Sequence, residues 1–181
     1  MTHHLSAAAI EARLAELEAK LARLQKVEDH LAIYQLMSGY GYAVDGLNAG
    51  FIEAMYAPNG VYEVPGMLKY ESAAEVATVT RDEGTLAYVK SGAAHTVPLP
   101  YVVIEGDRAT ATSYHIIIRK GAFGGDHHQI ARASACRWDF SRKPDGSGWQ
   151  VDYRKNIPLD GSPEGPALLA RLAEGPAVAD A

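Results

Sequence analysis

The chain has 181 residues, of which 48% are hydrophobic and 22% are charged, and its net charge is −5. This length and composition predict one ordinary globular domain and exclude a largely disordered chain. Nucleic-acid phosphates attract clusters of Lys and Arg, and this acidic chain has no long basic run. We therefore expect no nucleic-acid partner.

The cellular location is predicted from the cysteine content and from the membrane-spanning and signal segments that the sequence lacks. The single cysteine, Cys136, cannot form an internal disulfide, which suits a reducing compartment. No stretch approaches the roughly 20 apolar residues that span a bilayer. Charged residues from Glu11 to Glu16 interrupt any apolar signal core near the N-terminus. We expect a cytoplasmic protein without a membrane partner.

Residues 6–28 are predicted to form a helix because they are rich in Ala, Leu, Glu, Lys and Arg. Their large apolar residues alternate spacings of four and three, which is the a/d pattern of a short coiled coil. These residues are Ile10, Leu14, Leu17, Leu21 and Leu24. The pattern also fits an amphipathic helix lying on its own domain. In either case residues 1–24 form an N-terminal helical extension that packs on another surface, such as a neighbouring subunit.

The segments that follow predict three more helices and one hairpin. The second helix ends at Asp45, because Gly46 suits a helix C-cap. The last helix begins at Ser72, an N-cap whose capping box Glu75 completes. In chain order, the predicted elements are a helix from about Val27 to Val44, a short helix at 48–57, a hairpin of 61–64 with 67–70, and a helix at 72–82.

Long strands separated by turns rich in Gly, Pro and Asp are predicted after residue 94. They cover Thr96–Ile104, Ala109–Lys120, Gln129–Ser141 and Trp149–Pro158. Helices followed by a meander of strands predict an α+β fold, with one curved mixed or antiparallel sheet and helices over its concave side. We place this domain at residues 25–160. Residues 161–181 then form a tail with a short helix near Leu168–Leu172.

Metal and nucleotide sites are not expected. His127 and His128 are adjacent, so in a strand they point to opposite faces, and His3 and His4 are terminal. The glycine-rich segment 121–125 joins two strands and opens no helix, unlike a phosphate-binding loop. Cys136 lies in a strand without an evident activating group, so we predict a packing role for it. The predicted chemistry needs no cofactor.

Four polar residues stand inside apolar segments and are the candidates for chemistry. Asp45 closes the second helix, His95 opens the first long strand, and His115 and Arg154 lie within later strands. Taken alone, none of them is specific. An Asp after a helix is usually a cap or turn residue, and a strand His is usually a satisfied or exposed side chain.

The pattern as a whole resembles a known family. Residues 25–64 (QKVEDHLAIYQLMSGYGYAVDGLNAGFIEAMYAPNGVYEV) look like the start of SnoaL-like and scytalone dehydratase-like proteins. Residues 95–120 (HTVPLPYVVIEGDRATATSYHIIIRK) resemble their central strands, and 148–161 (GWQVDYRKNIPLDG) their closing strand. The resemblance covers roughly residues 25–160 and implies the cone-shaped α+β barrel of nuclear transport factor two.

The resemblance also implies a site. In dehydratases and a dehydrochlorinase of this superfamily, an Asp near the end of the long helix pairs with a His about fifty residues later. Asp45 and His95 match that arrangement. Tyr40 matches a tyrosine five residues before the Asp in the bile-acid dehydratases, and Arg154 matches a basic residue in the closing strand of the dehydrochlorinase. His115 falls in a strand that lines the relatives' pocket.

This chain also departs from the relatives. Apolar Ile117 and Ile118 stand where the bile-acid enzymes carry a pocket acid, and Gly121 stands nearest to the second catalytic His of scytalone dehydratase. The resemblance therefore implies the dyad but no particular acid partner. Further pocket walls are expected to be aromatic or apolar. The residues expected to bind substrate are His115, Tyr42, Tyr101, Phe51, Met55, Tyr114 and Ile116, with Tyr62, Val97 and Ile157 as further wall residues.

Together these features predict a cofactor-independent lyase. It would catalyse a dehydration-like or retro-aldol-like elimination on a small hydrophobic cyclic or aromatic substrate, with the Asp–His pair as general base. Two alternatives stay open: an isomerase or cyclase of the ketosteroid-isomerase or polyketide-cyclase type, and a non-catalytic small-molecule binding protein. The resemblance implies a homo-oligomer, either a dimer or a trimer.

Overall fold

The computed structural model describes residues 6–121 and 125–172 of the chain. Its first element, α1, is one continuous helix of 39 residues, Ala7–Asp45, where two helices were predicted. The division was wrong because no Gly or Pro interrupts the chain before Gly39. Ser6 caps the start by accepting a hydrogen bond from the backbone N–H of Ala9, and Gly46 ends the helix. At 1.5 Å per residue, α1 is roughly 58 Å long.

The first half of α1 does not lie on its own domain. Burial along the helix begins only at Asp29. The predicted apolar stripe is half-exposed throughout, from 46% at Leu17 to 64% at Leu21. The expectation of a helix folded back on its own domain is therefore corrected. No residue of 6–121 or 125–172 covers this stripe, because the globular part of the described chain begins where the burial does.

The segment between α1 and the long strands forms a hairpin and three short helices. Strand β1 (Tyr56–Val64) pairs antiparallel with β2 (Leu68–Tyr70), as predicted. Helix α2 spans Ala49–Met55, and α3 spans Ala73–Ala77 and continues as a 3₁₀ turn at Thr78–Arg81. Helix α4, Glu83–Lys90, was not predicted. Asp82 starts it by accepting hydrogen bonds from the N–H groups of Gly84 and Thr85.

The remaining elements are β3 (Ala93–Thr96), β4 (Tyr101–Glu105), β5 (Arg108–Lys120), β6 (His128–Arg142), β7 (Trp149–Pro158) and α5 (Glu164–Ala170). The strand predicted at Thr96–Ile104 is two strands, because Pro98 and Pro100 cannot donate to a ladder. The sheet has seven strands in the described chain, in the order β2-β1-β7-β6-β5-β3, with β4 also paired to β5. The pairing of β1 with β7 is parallel and the others are antiparallel.

The core lies between the concave face of the sheet and the second half of α1. Buried residues of the helix, such as Ile33 and Met37, belong to the same cluster as Trp138 and Phe140 of β6. A buried ion pair fastens the middle of the helix, because Asp29 accepts hydrogen bonds from Arg142 at 2.7 Å and from the Trp149 indole at 3.0 Å. Burial opposes ionisation of Asp29, but these bonds outweigh it and lower the pKa of the carboxyl.

The helices that the structure describes include none long and apolar enough to cross a membrane.

Candidate functional site

A cavity of about 500 Å³ opens on the concave side, between the end of α1, helix α4 and the inner face of the sheet. This volume lies within the range of small-molecule sites, roughly 300–1,000 Å³. Most of its wall is apolar or aromatic, including Tyr40, Val44, Tyr62, Tyr70 and Tyr88. The ionisable residues on the remaining wall are His95, His115, Arg132 and Asp82.

Asp45 and His95 meet at the edge of this cavity. The Nδ1 atom of the His95 ring lies 2.6 Å from Oδ1 of Asp45, and the backbone N–H of His95 donates to Oδ2 at 2.8 Å. An ionised carboxylate can only accept, so Nδ1 carries a proton, and in the neutral form of the ring the lone pair is therefore on Nε2. The ring is therefore held in the tautomer of a base whose free nitrogen is Nε2.

A glycine allows this close contact between helix and strand. A Cβ atom built on Gly41 would stand 2.0 Å from the backbone oxygen of His95. Any side chain at this position would therefore push β3 away from α1. Asp45 is one helical turn further along, so the same close approach brings its carboxylate to His95.

His115 lies behind His95 on β5 and is buried. The two rings are stacked, with centroids 5.7 Å apart and planes inclined by 24°. Burial lowers the pKa of His115 well below its ordinary value, and the positive Arg154 and a charged His95 lower it further. His115 is therefore neutral at neutral pH.

Asn156 determines which nitrogen of His115 carries the proton. Its Oδ1 accepts from Nε of Arg154 at 3.2 Å, and a guanidinium can only donate. The Nδ2 group of Asn156 then donates to Nδ1 of His115 at 3.3 Å and to the Tyr62 hydroxyl at 3.2 Å. The proton of His115 is consequently on Nε2, which has no hydrogen-bond partner within the described residues.

Arg154 is fully buried behind the cavity wall. Its guanidinium carbon lies 3.9 Å from the ring centre of Tyr40, 4.1 Å from that of Trp138 and 4.6 Å from that of Tyr62. Nη1 and Nη2 make no hydrogen bond of good geometry to any described residue. The cation is thus held mainly by aromatic faces. It supports the ring of Tyr40 from behind and does not reach the cavity.

Tyr40 lies on the cavity wall, as expected, and packs edge-on against His115 with ring centroids 6.2 Å apart. Met55, also expected at the site, is buried in the core without lining the cavity. Cys136 has the expected packing role, because burial raises the pKa of its thiol to about 11 and its Sγ donates to Oδ1 of Asn156.

Several predicted substrate-binding residues are not in the cavity, and these expectations are corrected. Tyr114 is 47% exposed and Ile116 shares its outer face, because alternation places them opposite to His115 on β5. Tyr42 and Tyr101 are 78% and 51% exposed. Phe51 packs on Gly39 in a separate concavity of about 510 Å³ on the other side of α1, which has no carboxylate, imidazole or cation among its described wall residues.

Sequence reasoning missed much of the cavity wall, including several of its polar residues. Tyr88 and Thr85 line the cavity from α4, a helix that was not predicted. Nothing in the sequence distinguishes Asn156 from an ordinary polar residue of a strand, although its side chain links Arg154 to His115. Arg132 also lines the cavity, yet nothing in the strand pattern around it distinguished it from a solvent-facing arginine. The described residues contain no group of three or more His, Cys, Asp or Glu that would hold a metal ion.

The fold and the cavity define a class of protein: an α+β barrel of the NTF2-like type with an Asp–His pair in its pocket. The profile of the SnoaL-like domain matches residues 25–155. The chain therefore belongs to the SnoaL-like family. No curated protein sequence matches it at a significant level.

Solved structures agree with this assignment. An NTF2-like protein with a cystatin-like fold from Novosphingobium aromaticivorans is 33% identical, with a TM-score of 0.78 over 84% of this chain and 96% of that one. A candidate dehydratase of the NTF2-like family from Streptomyces avermitilis is 14% identical, with a TM-score of 0.54 over 74% and 97%. A ketosteroid isomerase-like protein from Erwinia carotovora is 18% identical, with a TM-score of 0.51 over 74% and 98%. The last two share the fold alone.

Proposed function

We propose that this protein is a cofactor-independent lyase that eliminates a small group from a hydrophobic cyclic or aromatic substrate. The observation that supports the proposal is the contact of 2.6 Å between Asp45 and Nδ1 of His95 at the edge of the cavity. A neutral imidazole oriented in this way is a suitable general base near neutral pH. The tyrosine-rich wall suits a ring-shaped substrate.

In the proposed reaction, Nε2 of His95 takes a proton from an acidic C–H of the substrate. The electron pair of that bond forms a C=C bond, and the bond to the leaving group on the neighbouring carbon breaks. Asp45 stabilises the imidazolium that forms on His95, as a carboxylate partner does in other acid–base sites. The leaving group departs with its bonding electron pair and needs a proton or a hydrogen bond.

Two groups are placed to supply that proton or hydrogen bond. Tyr40 has a phenol on the cavity wall, and His115 has an unpartnered Nε2–H beside His95. We assign Tyr40 the role of acid and His115 the role of hydrogen-bond donor, because a neutral imidazole that gave up its remaining proton would become a buried anion. Arg154 acts as a positioning residue through the Tyr40 ring that it contacts.

An isomerase of the ketosteroid type is the second proposal. The observation that favours it is the neutral His115 beside the base. Hydrogen bonds from Tyr40 and His115 would stabilise an enolate formed next to His95, and no group would have to leave the substrate. Product analysis separates the two. An elimination releases water, halide or a carbon fragment in equal amount to the unsaturated product, whereas an isomerisation conserves the mass of the substrate.

The test uses a panel of hydroxylated and halogenated cyclic compounds with the whole chain and two variants, His95→Gln and Asp45→Asn. We expect turnover to fall by ~10²–10⁴-fold in both, because each removes part of the positioned base. Arg108→Met, a surface change on β5, is the control and should leave turnover unchanged. Full turnover by His95→Gln would overturn the proposed base. A chain that binds these compounds without turnover would instead be a binding protein.

We further propose that the protein is a homo-oligomer joined by the N-terminal halves of α1. The exposed stripe has Leu14 and Leu21 at a positions, and Ile10, Leu17 and Leu24 at d positions.

The flanking g positions hold Arg13 and Lys20, and the flanking e positions hold Glu11 and Glu18. In a parallel pair, g of one helix faces the following e of the other, so Arg13 would face Glu18 of a second copy. An antiparallel pair would bring like charges together, which favours a parallel dimer. A cytoplasmic location stays a prediction.

A further inference from the structure

Arg132 lies in register with His95 across three neighbouring strands. His95 on β3 is directly opposite Ile117 on β5, and Ile117 is directly opposite Arg132 on β6. Directly opposed residues point to the same face of a sheet, so all three point towards the cavity that they line. Two strand spacings of about 4.8 Å separate the backbones of His95 and Arg132 by roughly 10 Å.

Arg132 directly follows an irregularity in the ladder and shares the inner face of β6 with Ser134, two residues further along. The next pair after Ile117 with Arg132 is Ile118 with Ile130, so Ala131 is an extra residue on β6. Such a bulge reverses the alternation, and Ile130 is accordingly exposed although it has the same parity as Arg132. Bulges often redirect a side chain beside an active site.

Arg132 has no anionic partner among the described residues. Its Nη1 contacts only the sulfur of Met67, at 3.6 Å, and its Nε is buried without a hydrogen bond. The other two arginines of β6 are paired, Arg137 with Asp139 at 2.9 Å and Arg142 with Asp29 at 2.7 Å. Burying part of a cation without a partner is costly, so an arginine that faces a cavity in this way is suited to binding an anionic ligand.

The polar groups around Arg132 are also suited to an anion. The hydroxyl of Ser134, two residues further along β6, is a buried donor without a partner among the described residues. Among the described wall residues the carboxylate is that of Asp82, whose Oδ1 accepts hydrogen bonds from the N–H groups of Gly84 and Thr85 on its own helix. The permanent charge of Arg132 therefore has a buried donor beside it and is bonded to no carboxylate of the described chain.

We propose that Arg132 binds a carboxylate of the substrate, so that the substrate class is a cyclic or aromatic carboxylic acid. The planar guanidinium presents a fork of donors that matches a carboxylate. A ring between Arg132 and His95 fits the spacing of roughly 10 Å across two strands, with its carboxylate at one end and the reacting C–H at the other. The reaction that such an acid undergoes rests on the proposed function. Binding of its carboxylate by Arg132 does not depend on the Asp45–His95 pair.

The test is calorimetric titration of the whole chain with benzoate and with benzamide, a neutral compound of the same shape. We expect benzoate to bind about tenfold or more tightly than benzamide, as is typical of a charge-assisted hydrogen-bonded pair. Arg132→Met should abolish this preference and Arg132→Lys should retain part of it. Arg137→Met is the matched control on the same strand and should keep the preference, because Arg137 faces a separate depression beneath α5.

Three results with the natural chain and the arginine variants would overturn the proposal: equal binding of benzoate and benzamide by the natural chain, an unchanged preference in Arg132→Met, or a preference lost in Arg137→Met. Circular dichroism checks that each variant is folded. If Arg132→Met does not fold, Arg132→Lys replaces it in the test, and a preference that Arg132→Lys does not reduce then overturns the proposal. The same titration with His95→Gln separates this proposal from the proposed function. A preference retained in His95→Gln supports the carboxylate site whether or not the dyad catalyses a reaction, and a preference lost there overturns the assignment to Arg132.

Discussion

Both oxygens of the Asp45 carboxylate are bonded to His95, one to the ring Nδ1 at 2.6 Å and the other to the backbone N–H at 2.8 Å. The same carboxylate therefore orients the imidazole and fastens the edge strand β3 to the end of α1. Local structure and proposed chemistry depend on one side chain, so changes to it affect both.

The first prediction concerns Asp45→Asn. An amide cannot accept from both donors of His95, because one of its two ends is an NH₂ group. We expect turnover of an identified substrate to fall by ~10²–10⁴-fold. The free energy of unfolding should fall by about 1–3 kcal/mol, as one donor loses its partner. Kinetics and urea unfolding measure the two effects. A variant with full activity but lower stability would reduce Asp45 to a structural anchor.

The second prediction concerns Gly41→Ala, which changes no chemical group. The added Cβ would stand 2.0 Å from the backbone oxygen of His95, so β3 must move. We expect a loss of about 1–3 kcal/mol of stability from this overpacking. Activity should fall as well, because the hydrogen bond between Asp45 and His95 is lengthened.

Gly50→Ala is the matched control for Gly41→Ala. Its new Cβ would meet only Oδ1 of Asn48, at 3.8 Å, which is an ordinary contact. An alanine in helix α2 should be neutral or stabilise the chain by about 0.4–1 kcal/mol. Equal stability and equal activity of the two variants would contradict the close contact between Gly41 and β3.

The third prediction is a loss of stability in acid that depends on His115. Burial keeps the pKa of this imidazole well below its ordinary value in the folded chain. Below about pH 6.5 the unfolded chain gains a proton at this position and the folded chain does not. Stability from this residue is therefore complete above that pH and is lost as the pH falls, by up to about 1.4 kcal/mol per pH unit.

Urea unfolding between pH 7.5 and 5 measures this effect. We expect His115→Gln to have a flatter profile than the natural chain over that range, whatever its stability at pH 7.5. His128→Gln, at an exposed position of β6, should keep the natural slope. If His115→Gln and the natural chain have parallel profiles, His115 is not held neutral by the fold.

The fourth prediction concerns the effect of Arg154 on His115. The positive guanidinium contributes, after burial, to the low pKa of this imidazole. Arg154→Met keeps a long side chain among the three rings and removes the charge, so the pKa of His115 should rise. Imidazole resonances followed by NMR against pH measure the rise. An unchanged titration of His115 would show that burial alone accounts for its low pKa.

The fifth prediction concerns assembly through α1. Leu17→Glu with Leu21→Glu places charges in the exposed stripe and should lower the mass measured by light scattering. Removal of residues 1–24 should do the same. Ala15→Glu lies at a b position outside the stripe and is the control. An assembly unchanged in the truncated chain would exclude α1 as its interface.

A charge exchange tests the parallel arrangement. Arg13→Glu alone would face Glu18 of the second copy and weaken the assembly, since like charges repel. Adding Glu18→Arg restores an attractive pair in the parallel arrangement only. If the double variant assembles no better than Arg13→Glu, the helices are not parallel in this register.

Much of the fold was predictable because it depends on neighbouring residues. The hairpin of β1 and β2, the long strands β5, β6 and β7, and the capped starts of the helices all follow from turn residues, caps and apolar spacing. The resemblance to a family added the pairing of Asp45 with His95, since nothing in a separation of fifty residues specifies a contact.

The remaining site depended on how strands pair, which no local pattern records. Tyr114 and His115 are adjacent in the chain, yet the pleat places one outside and the other in the cavity. Both faces of these strands are rich in apolar residues, so alternation could not say which face is inner. Arg132 belongs to the inner face because it is paired with Ile117, and that pairing of β5 with β6 is a property of the sheet.

The sequence by itself determined that a long helix ends at Asp45 and that a meander of strands follows it, because caps and spacings are local properties. Only the tertiary structure decided that His95 sits on that carboxylate, that Arg154 is enclosed by aromatic rings, and that Arg132 faces the cavity unpaired. Those relationships arise when distant segments are brought together, and their energies depend on burial, which the order of residues along the chain does not state.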